Sequence, residues 1–124
     1  MRPDVLLITE MIDAADQARR LADGVTAGQL EQDRQRRDAL LWNFTVLGEA
    51  AGRLSDETKA NFPDVRWQQP ARLRNRVVHG CWSIDVEILR TTAAEQLPQF
   101  VRDLRRVLAA LTAGNDDATG MPES

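Results

Sequence analysis

The sequence predicts an all-α protein, an up-down four-helix bundle with one extra short helical turn. Apolar residues recur at helical spacing in four segments, and no segment of any length alternates between apolar and polar residues as a strand would. The connections between these segments are short, which favours a bundle of neighbouring helices. At 124 residues the chain is long enough for one hydrophobic core and too short for two.

The first helix is expected from about residue 3 to residue 22, because Pro3 suits a first helical turn and apolar residues follow at steps of three and four. Gly24 and Gly28 predict a break after it. A second, longer helix is expected over residues 31–54. The residues that share its apolar face are Leu40, Phe44, Leu47, Ala51 and Leu54.

Ser55 predicts a cap and a short helical turn, and a third helix is expected over residues 68–78 with Gly80 as its stop. Asp85 predicts the cap of a fourth helix, in which Pro98 should cause a kink because proline lacks a backbone donor. We therefore expect residues 1–113 to form the domain and residues 114–124 to be a disordered acidic tail.

Composition narrows the classes of function. The 15 arginines and one lysine are outnumbered by 19 acids, and the net charge of −3 argues against nonspecific coating of nucleic acid, so any RNA site must be a local basic patch. A single cysteine excludes an internal disulfide and a Cys-rich zinc site. The apolar stretch at residues 5–8 is too short for a signal peptide or a membrane span. We expect a cytoplasmic protein without metal, other cofactor or membrane contact.

The residues with the clearest chemistry lie in the octet from Arg74 to Cys81. It contains the single histidine, His79, and it lies within residues 65–84, which hold four arginines and no acid. Imidazole can take the proton of the ribose 2′-OH or protonate the leaving 5′-oxygen, and a guanidinium fork fits phosphate oxygens. The octet therefore indicates metal-independent RNA cleavage by Arg74 and His79. The alternatives are a local helix cap for the histidine and a solvated face for the arginines.

On a regular helix, five residues turn about 140° and rise roughly 7.5 Å, so Arg74 and His79 would not share a face. Either the helix unwinds near His79, or two copies of the motif meet across a twofold axis. A dimer would also supply both a base and an acid, since each chain has one histidine. We predict a composite site in a homodimer, with Asn75 and Arg76 as supporting residues and Trp82 at the interface.

The octet resembles the signature of the HepT branch of the HEPN ribonucleases, in which an arginine followed by a polar residue precedes the histidine at this spacing. The segment Leu47–Ala51 is similar to the Ile-Gly-Glu-Ala segment of that family, and the pair at residues 97–98 matches a Leu-Pro pair in its last helix. The resemblance implies a dimeric ribonuclease toxin encoded beside a minimal nucleotidyltransferase antitoxin. It implies Arg74 and His79 as the catalytic pair and Glu49 as a recurrent acid.

We expect Glu49 to be a buried partner of an arginine such as Arg74 or Arg53. In the family, the antitoxin transfers AMP to a tyrosine at the position of Cys81, but this chain has no tyrosine. We expect no stable nucleotide adduct on the Cys81 thiol and neutralisation by binding. Modification of Ser83, loss of regulation and loss of activity are the alternatives.

Three functions remain open from the sequence. The first is an endoribonuclease toxin that cuts tRNA or mRNA at single-stranded positions. The alternative is a non-catalytic helical partner or substrate-binding subunit of a minimal nucleotidyltransferase. The third is a nucleotide-sensing bundle in which Arg74 and Arg76 hold a phosphate without cleavage. A neighbouring nucleotidyltransferase gene favours the first two, and growth arrest on expression separates the first from the second.

Overall fold

The structure is a computed structural model that describes the backbone of residues 3–79 and 83–120, and the side chains of residues 77–79, 83–84 and 114–120 lie outside the description. Over these residues the protein is an all-α bundle, as predicted. Its helices are α1 (Pro3–Ala22), α2 (Ala27–Gln32), α3 (Arg34–Arg53), α4 (Asp56–Asn61), α5 (Gln69–Val77), α6 (Val86–Thr91) and α7 (Leu97–Gly120).

Helix α1 is the centre of the bundle, because it packs along both α3 and α7, while α5 packs on the other side of α3. The inward face of α1 has large side chains in its first half and alanines in its second half. Ile8 and Met11 fill the core, and Ala15 and Ala18 let the neighbouring helices approach closely; all four are fully buried. No helix in the described part of the chain is long and apolar enough to cross a membrane.

The region predicted as one long helix is divided into α2 and α3. Asp33 ends α2 and caps α3, since its carboxylate accepts a hydrogen bond of 3.0 Å from the backbone N–H of Arg36. Thr26 caps α2 in a reciprocal capping box, so Gly28 lies inside α2 and not in the expected break. Gly24 alone makes the preceding turn, with φ of 70°.

Helix α6 begins after Asp85, as predicted, because the Asp85 carboxylate accepts a hydrogen bond from the N–H of Ile88. A π-helical turn at Thr92–Gln96 connects α6 to α7 directly before Pro98. Proline cannot donate to the carbonyl four residues back and its ring crowds that carbonyl, which is a recognised cause of such irregular turns. Helix α7 extends to Gly120, and the expected disorder of the tail stays a prediction.

The N-terminal turn of α1 is bonded to the start of α4 through a buried carboxylate. Asp4 accepts hydrogen bonds from the backbone N–H of Ser55 (3.1 Å), the hydroxyl of Ser55 (2.6 Å) and the hydroxyl of Thr58 (2.5 Å). Ser55 Oγ in turn accepts from the N–H of Thr58 and caps α4. One carboxylate therefore joins two segments that are more than 50 residues apart in the sequence.

Candidate functional site

The helix that carries the motif ends earlier than predicted. Helix α5 stops at Val77, and Val78–His79 form a two-residue strand, β1, which pairs antiparallel with β2 (Ser83–Ile84). The helix thus ends one residue before the predicted end at residue 78, and the backbone of His79 is extended. Two consecutive valines explain the change, since β-branched residues favour extended backbone over helix. Gly80, Cys81 and Trp82 lie outside the described residues.

This early end removes one of the two arguments for a composite site. Because α5 ends between Arg74 and His79, the angular separation of about 140° on a continuous helix no longer applies to them. The backbone follows the first alternative, in which the helix unwinds before the histidine. The His79 side chain lies outside the description, so its backbone position, opposite Ser83 in the strand pair, is what the structure gives.

Arg74 is held in place by a hydroxyl on the neighbouring helix. Its side chain is half-buried between α3 and α5, and its Nε donates a hydrogen bond of 3.0 Å to Thr45 Oγ1. Thr45 Oγ1 donates onward to the carbonyl of Leu41 at 3.1 Å, which orients the hydroxyl. Among the described residues, no hydrogen bond occupies the two terminal nitrogens of Arg74. The terminal nitrogens of a guanidinium form a planar fork that fits two phosphate oxygens.

Gly48 explains how α5 comes close enough for this bond. A Cβ atom at Gly48 would lie 3.2 Å from the Cα and 3.3 Å from the Cβ of Ala71. Thr45 precedes Gly48 by one turn, and Arg74 follows Ala71 by nearly one turn, so the close contact and the hydrogen bond belong to one helix crossing. The glycine of the Gly-Glu-Ala segment thus sets the distance between the arginine and its support.

Gly48→Ala should destabilise the protein, whereas Gly52→Ala, one turn further along α3, should stabilise it. Alanine is the better helix former by about 0.8–1 kcal/mol at either site, and a Cβ at Gly52 would meet nothing within 4 Å. At Gly48 that gain is opposed by overpacking against α5, which costs about 1–3 kcal/mol. Urea unfolding of both variants measures the difference. Equal stabilisation by the two substitutions would show that the contact with Ala71 relaxes without cost.

The three residues predicted to support the site, Glu49, Asn75 and Arg76, are exposed. Glu49 lies one turn after Thr45 on α3 and makes no ion pair within the described part of the chain, so it is not the buried partner that we expected for Arg74 or Arg53. A carboxylate on this helical face projects to solvent while the half-buried position goes to the shorter Thr45. Asn75 and Arg76 are also exposed, on the surface of α5.

Sequence reasoning missed two residues near the motif. Thr45 could have been noticed as a hydroxyl one turn before Glu49, but nothing in the sequence pairs it with Arg74. Trp42 is 65% exposed in the middle of α3, three residues before Thr45. Trp67, by contrast, is buried in the core, and its Nε1 donates a hydrogen bond to the carbonyl of Phe62. In the described residues, no group of His, Cys, Asp and Glu side chains could hold a metal ion.

Comparison with known families identifies the family of the chain. A family model described as Ribonuclease HepT-like matches residues 11–107, from α1 through the motif and into α7. The chain belongs to the HepT-like ribonuclease family. The resemblance inferred from the octet and the Gly-Glu-Ala segment is thereby confirmed.

Individual relatives of this HepT-like chain are distant. "Probable ribonuclease HepT" of Thermococcus cleftensis is 27% identical over 68 residues, which are 55% of this chain and 62% of that protein, less than two thirds of its length. A Methanocaldococcus jannaschii protein named as an RNase, MJ0127, is 21% identical over 76% of this chain and 78% of its own. A second one, MJ1380, is 20% identical over 79% of this chain and 90% of its own. No solved structure matches the chain significantly.

Proposed function

We propose that this HepT-like protein is a metal-independent endoribonuclease in which Arg74 and His79 are the catalytic pair. The observation that carries the proposal is the state of Arg74: Thr45 fixes its Nε, its terminal nitrogens have no partner among described residues, and its helix ends just before His79. A cation fixed through its Nε and a histidine in the same motif are suited to phosphoryl transfer.

The proposed reaction is an in-line transfer within one RNA strand. His79 takes the proton of a ribose 2′-OH, and the 2′-oxygen forms a bond to the adjacent phosphorus as the bond to the 5′-oxygen breaks. The leaving 5′-oxygen receives a proton from a second imidazole or from the protonated His79. Arg74 stabilises the additional negative charge on the phosphorane oxygens. The products are a 2′,3′-cyclic phosphate and a 5′-hydroxyl.

The proposed active form is a homodimer with a shared cleft. Each chain has one histidine, and a second copy supplies a second imidazole, so that the base and the acid can be different side chains. The exposed Trp42 supports this proposal, since large aromatic side chains are enriched in protein interfaces and Trp42 lies beside the helix crossing that holds Arg74. Trp82, which we expected at the interface, lies outside the described residues.

The biological role that we propose is that of a toxin acting on tRNA or mRNA, neutralised by a minimal nucleotidyltransferase. Support for it comes from membership of the HepT-like family and from the basic octet. Because Cys81 replaces the tyrosine of the resembling proteins, we propose that the antitoxin acts by covering the site. Growth arrest on expression, relieved by co-expression of the neighbouring nucleotidyltransferase, distinguishes this role from that of a non-catalytic subunit.

Purified protein should cleave RNA at an undiminished rate in EDTA and leave 2′,3′-cyclic phosphate and 5′-hydroxyl ends. The reason is that imidazole and guanidinium groups supply the base, the acid and the stabilising cation of the proposed reaction. Total RNA is incubated with protein and EDTA, and the ends are identified by ligation-based sequencing with and without phosphatase treatment. Strict dependence on Mg²⁺, or 3′-hydroxyl and 5′-phosphate ends, would contradict the proposed mechanism.

A further inference from the structure

A groove of about 740 Å³ lies between α4, α5 and the π-helical turn, and its charged residues are all basic. Lys59 comes from α4, Arg66 from the loop before α5, and Arg72 and Arg76 from successive turns of α5. We call this the basic groove. The lining of the basic groove has four cations and no acid, which is an unusual concentration of positive charge for a chain whose net charge is −3.

The positive charges of the basic groove are not neutralised by acids in the described part of the chain. None of its four cations forms an ion pair with a residue that the structure describes. Arginines elsewhere do: Arg106 pairs with Asp64 at 2.6 Å and Arg105 with Asp16 at 2.9 Å. The groove therefore presents positive charge to a ligand from outside.

The acids of this region lie in a separate hollow. Asp64, Glu95 and Asp103 line a cavity of about 350 Å³ that shares Arg66, Gln69 and Gln96 with the basic groove. Gln69 donates a hydrogen bond to Gln96 at 2.5 Å, and this pair lines both hollows. An anion in the groove would thus be kept away from the acidic side and directed along α5 toward Arg76 and the motif.

The positions of the donors fit a polyanionic strand. Arg72 and Arg76 are one helical turn apart, a rise of about 6 Å along α5, so they can contact phosphates in succession. Arg72 is oriented by Gln68, whose Oε1 accepts a bond of 2.8 Å from its Nη2. The large apolar residues of the groove, Trp67 and Leu73, are buried, so it offers forked cations and amides without an exposed aromatic anchor of the kind that protein interfaces use.

We infer that the basic groove binds the sugar-phosphate backbone of a single-stranded RNA segment next to the scissile phosphate. This inference rests on the proposed function and extends it, because the groove and Arg74 are on the same helix, α5, which ends two residues before His79. Arg74 and Arg76 are two residues apart and so lie on nearly opposite faces of α5, which requires the strand to pass around the end of this helix between the groove and the motif. The contacts are with phosphates and not with bases, so the groove contributes affinity and direction without sequence specificity. A single strand suits it because the attacking 2′-OH must lie in line with the bond that breaks, which a regular duplex does not allow.

The test measures binding without cleavage. His79→Ala protein is titrated into a fluorescently labelled single-stranded 12-nucleotide RNA, and anisotropy gives the binding constant at several salt concentrations. Contact with four phosphates gives a slope of log K against log[salt] of about −2.8 from the groove, and Arg66→Gln/Arg72→Gln should reduce the slope by about 1.4 units. The control Arg34→Gln/Arg102→Gln removes the same charge from exposed sites outside the groove and should leave the slope unchanged.

Each outcome supports or overturns the inference that the basic groove binds single-stranded RNA. Equal slopes and affinities for the two double variants would overturn the inference, as would equal binding of duplex RNA or tighter binding of a polyglutamate peptide of matched charge. Cleavage by the chain with native His79 is measured separately. If that chain leaves RNA intact but the salt dependence of binding changes as expected, the inference about the basic groove is supported and the proposed function is wrong. If it cleaves RNA and the groove variant cleaves RNA with unchanged KM, the proposed function is supported and the inference about the basic groove is wrong.

Discussion

Arg74→Ala and His79→Ala should each reduce RNA cleavage by at least about a hundredfold, because general acid–base catalysis and fixed electrostatic stabilisation typically contribute factors of this size or larger. Arg74 is half-buried and His79 belongs to a two-residue strand outside the helices, so the helical bundle should persist. Single-turnover cleavage of a defined RNA in EDTA gives the rates, and far-ultraviolet circular dichroism checks the fold. Full activity of the His79→Ala protein would show that the site assignment is wrong.

Thr45→Val tests the positioning of Arg74 without changing its charge. This variant keeps the guanidinium but removes the acceptor of its Nε hydrogen bond, so the rate should fall by a smaller factor, about tenfold, with little change in KM. Arg102→Ala is the matched control, since Arg102 is an exposed arginine of α7 outside the candidate site and the basic groove. A rate for Thr45→Val equal to that of the unchanged chain would mean that the hydrogen bond does not orient Arg74 during the reaction.

Mixed dimers test whether two chains share one cleft. When the unchanged chain and the His79→Ala chain are mixed in equal amounts and exchange freely, about half of the dimers are mixed. If each cleft needs both histidines, activity should fall to about one quarter; if the clefts are independent, it should fall to about one half. Sedimentation of the same preparation gives the fraction of protein that is dimeric, so the two expected activities can be distinguished. A protein that remains monomeric while it cleaves RNA would contradict the shared cleft.

The predictable parts of this fold are those whose signals are local. The first helix, the cap at Ser55 and the cap at Asp85 each depend on residues within one or two turns, and the structure confirms them. The break at Asp33 was not predicted, because the second segment was assigned to one helix from its apolar periodicity. The capping residue that divides this segment, Asp33, was present in the sequence. Local chemistry decided that boundary, and periodicity alone could not reveal it.

The candidate site was only partly predictable for a different reason. The motif named Arg74 and His79, but the partner of Arg74 is Thr45, 29 residues away, and the pairing depends on how α3 crosses α5 at Gly48. The basic groove likewise combines α4, α5 and the π-helical turn. Such groupings are set by packing, whereas spacing along the chain is informative only within one element.

Asp4→Ala should lower the free energy of unfolding by about 3 kcal/mol, because it removes a buried, hydrogen-bonded carboxylate. The Asp4 carboxylate is 8% exposed and accepts three hydrogen bonds from Ser55 and Thr58, and hydrogen bonds to charged groups contribute about 1.5–3 kcal/mol each without adding fully. Its removal leaves donors of Ser55 and Thr58 without this acceptor in a region where Thr58 is 2% exposed. It also releases the start of α1 from α4.

Urea unfolding at a fixed protein concentration measures this loss, because dimerisation would make the apparent stability depend on concentration. With an m-value of about 1–3 kcal/mol per molar, a loss of about 3 kcal/mol lowers the urea midpoint by about 1–3 M. Asp13→Ala is the matched control, since Asp13 is exposed on the same helix, and it should change stability by no more than about 0.5 kcal/mol. Ser55→Ala combined with Asp4→Ala should cost less than the sum of the two single changes, because both remove the same hydrogen bond. Full additivity would mean that the carboxylate stabilises the fold through other contacts than those with Ser55.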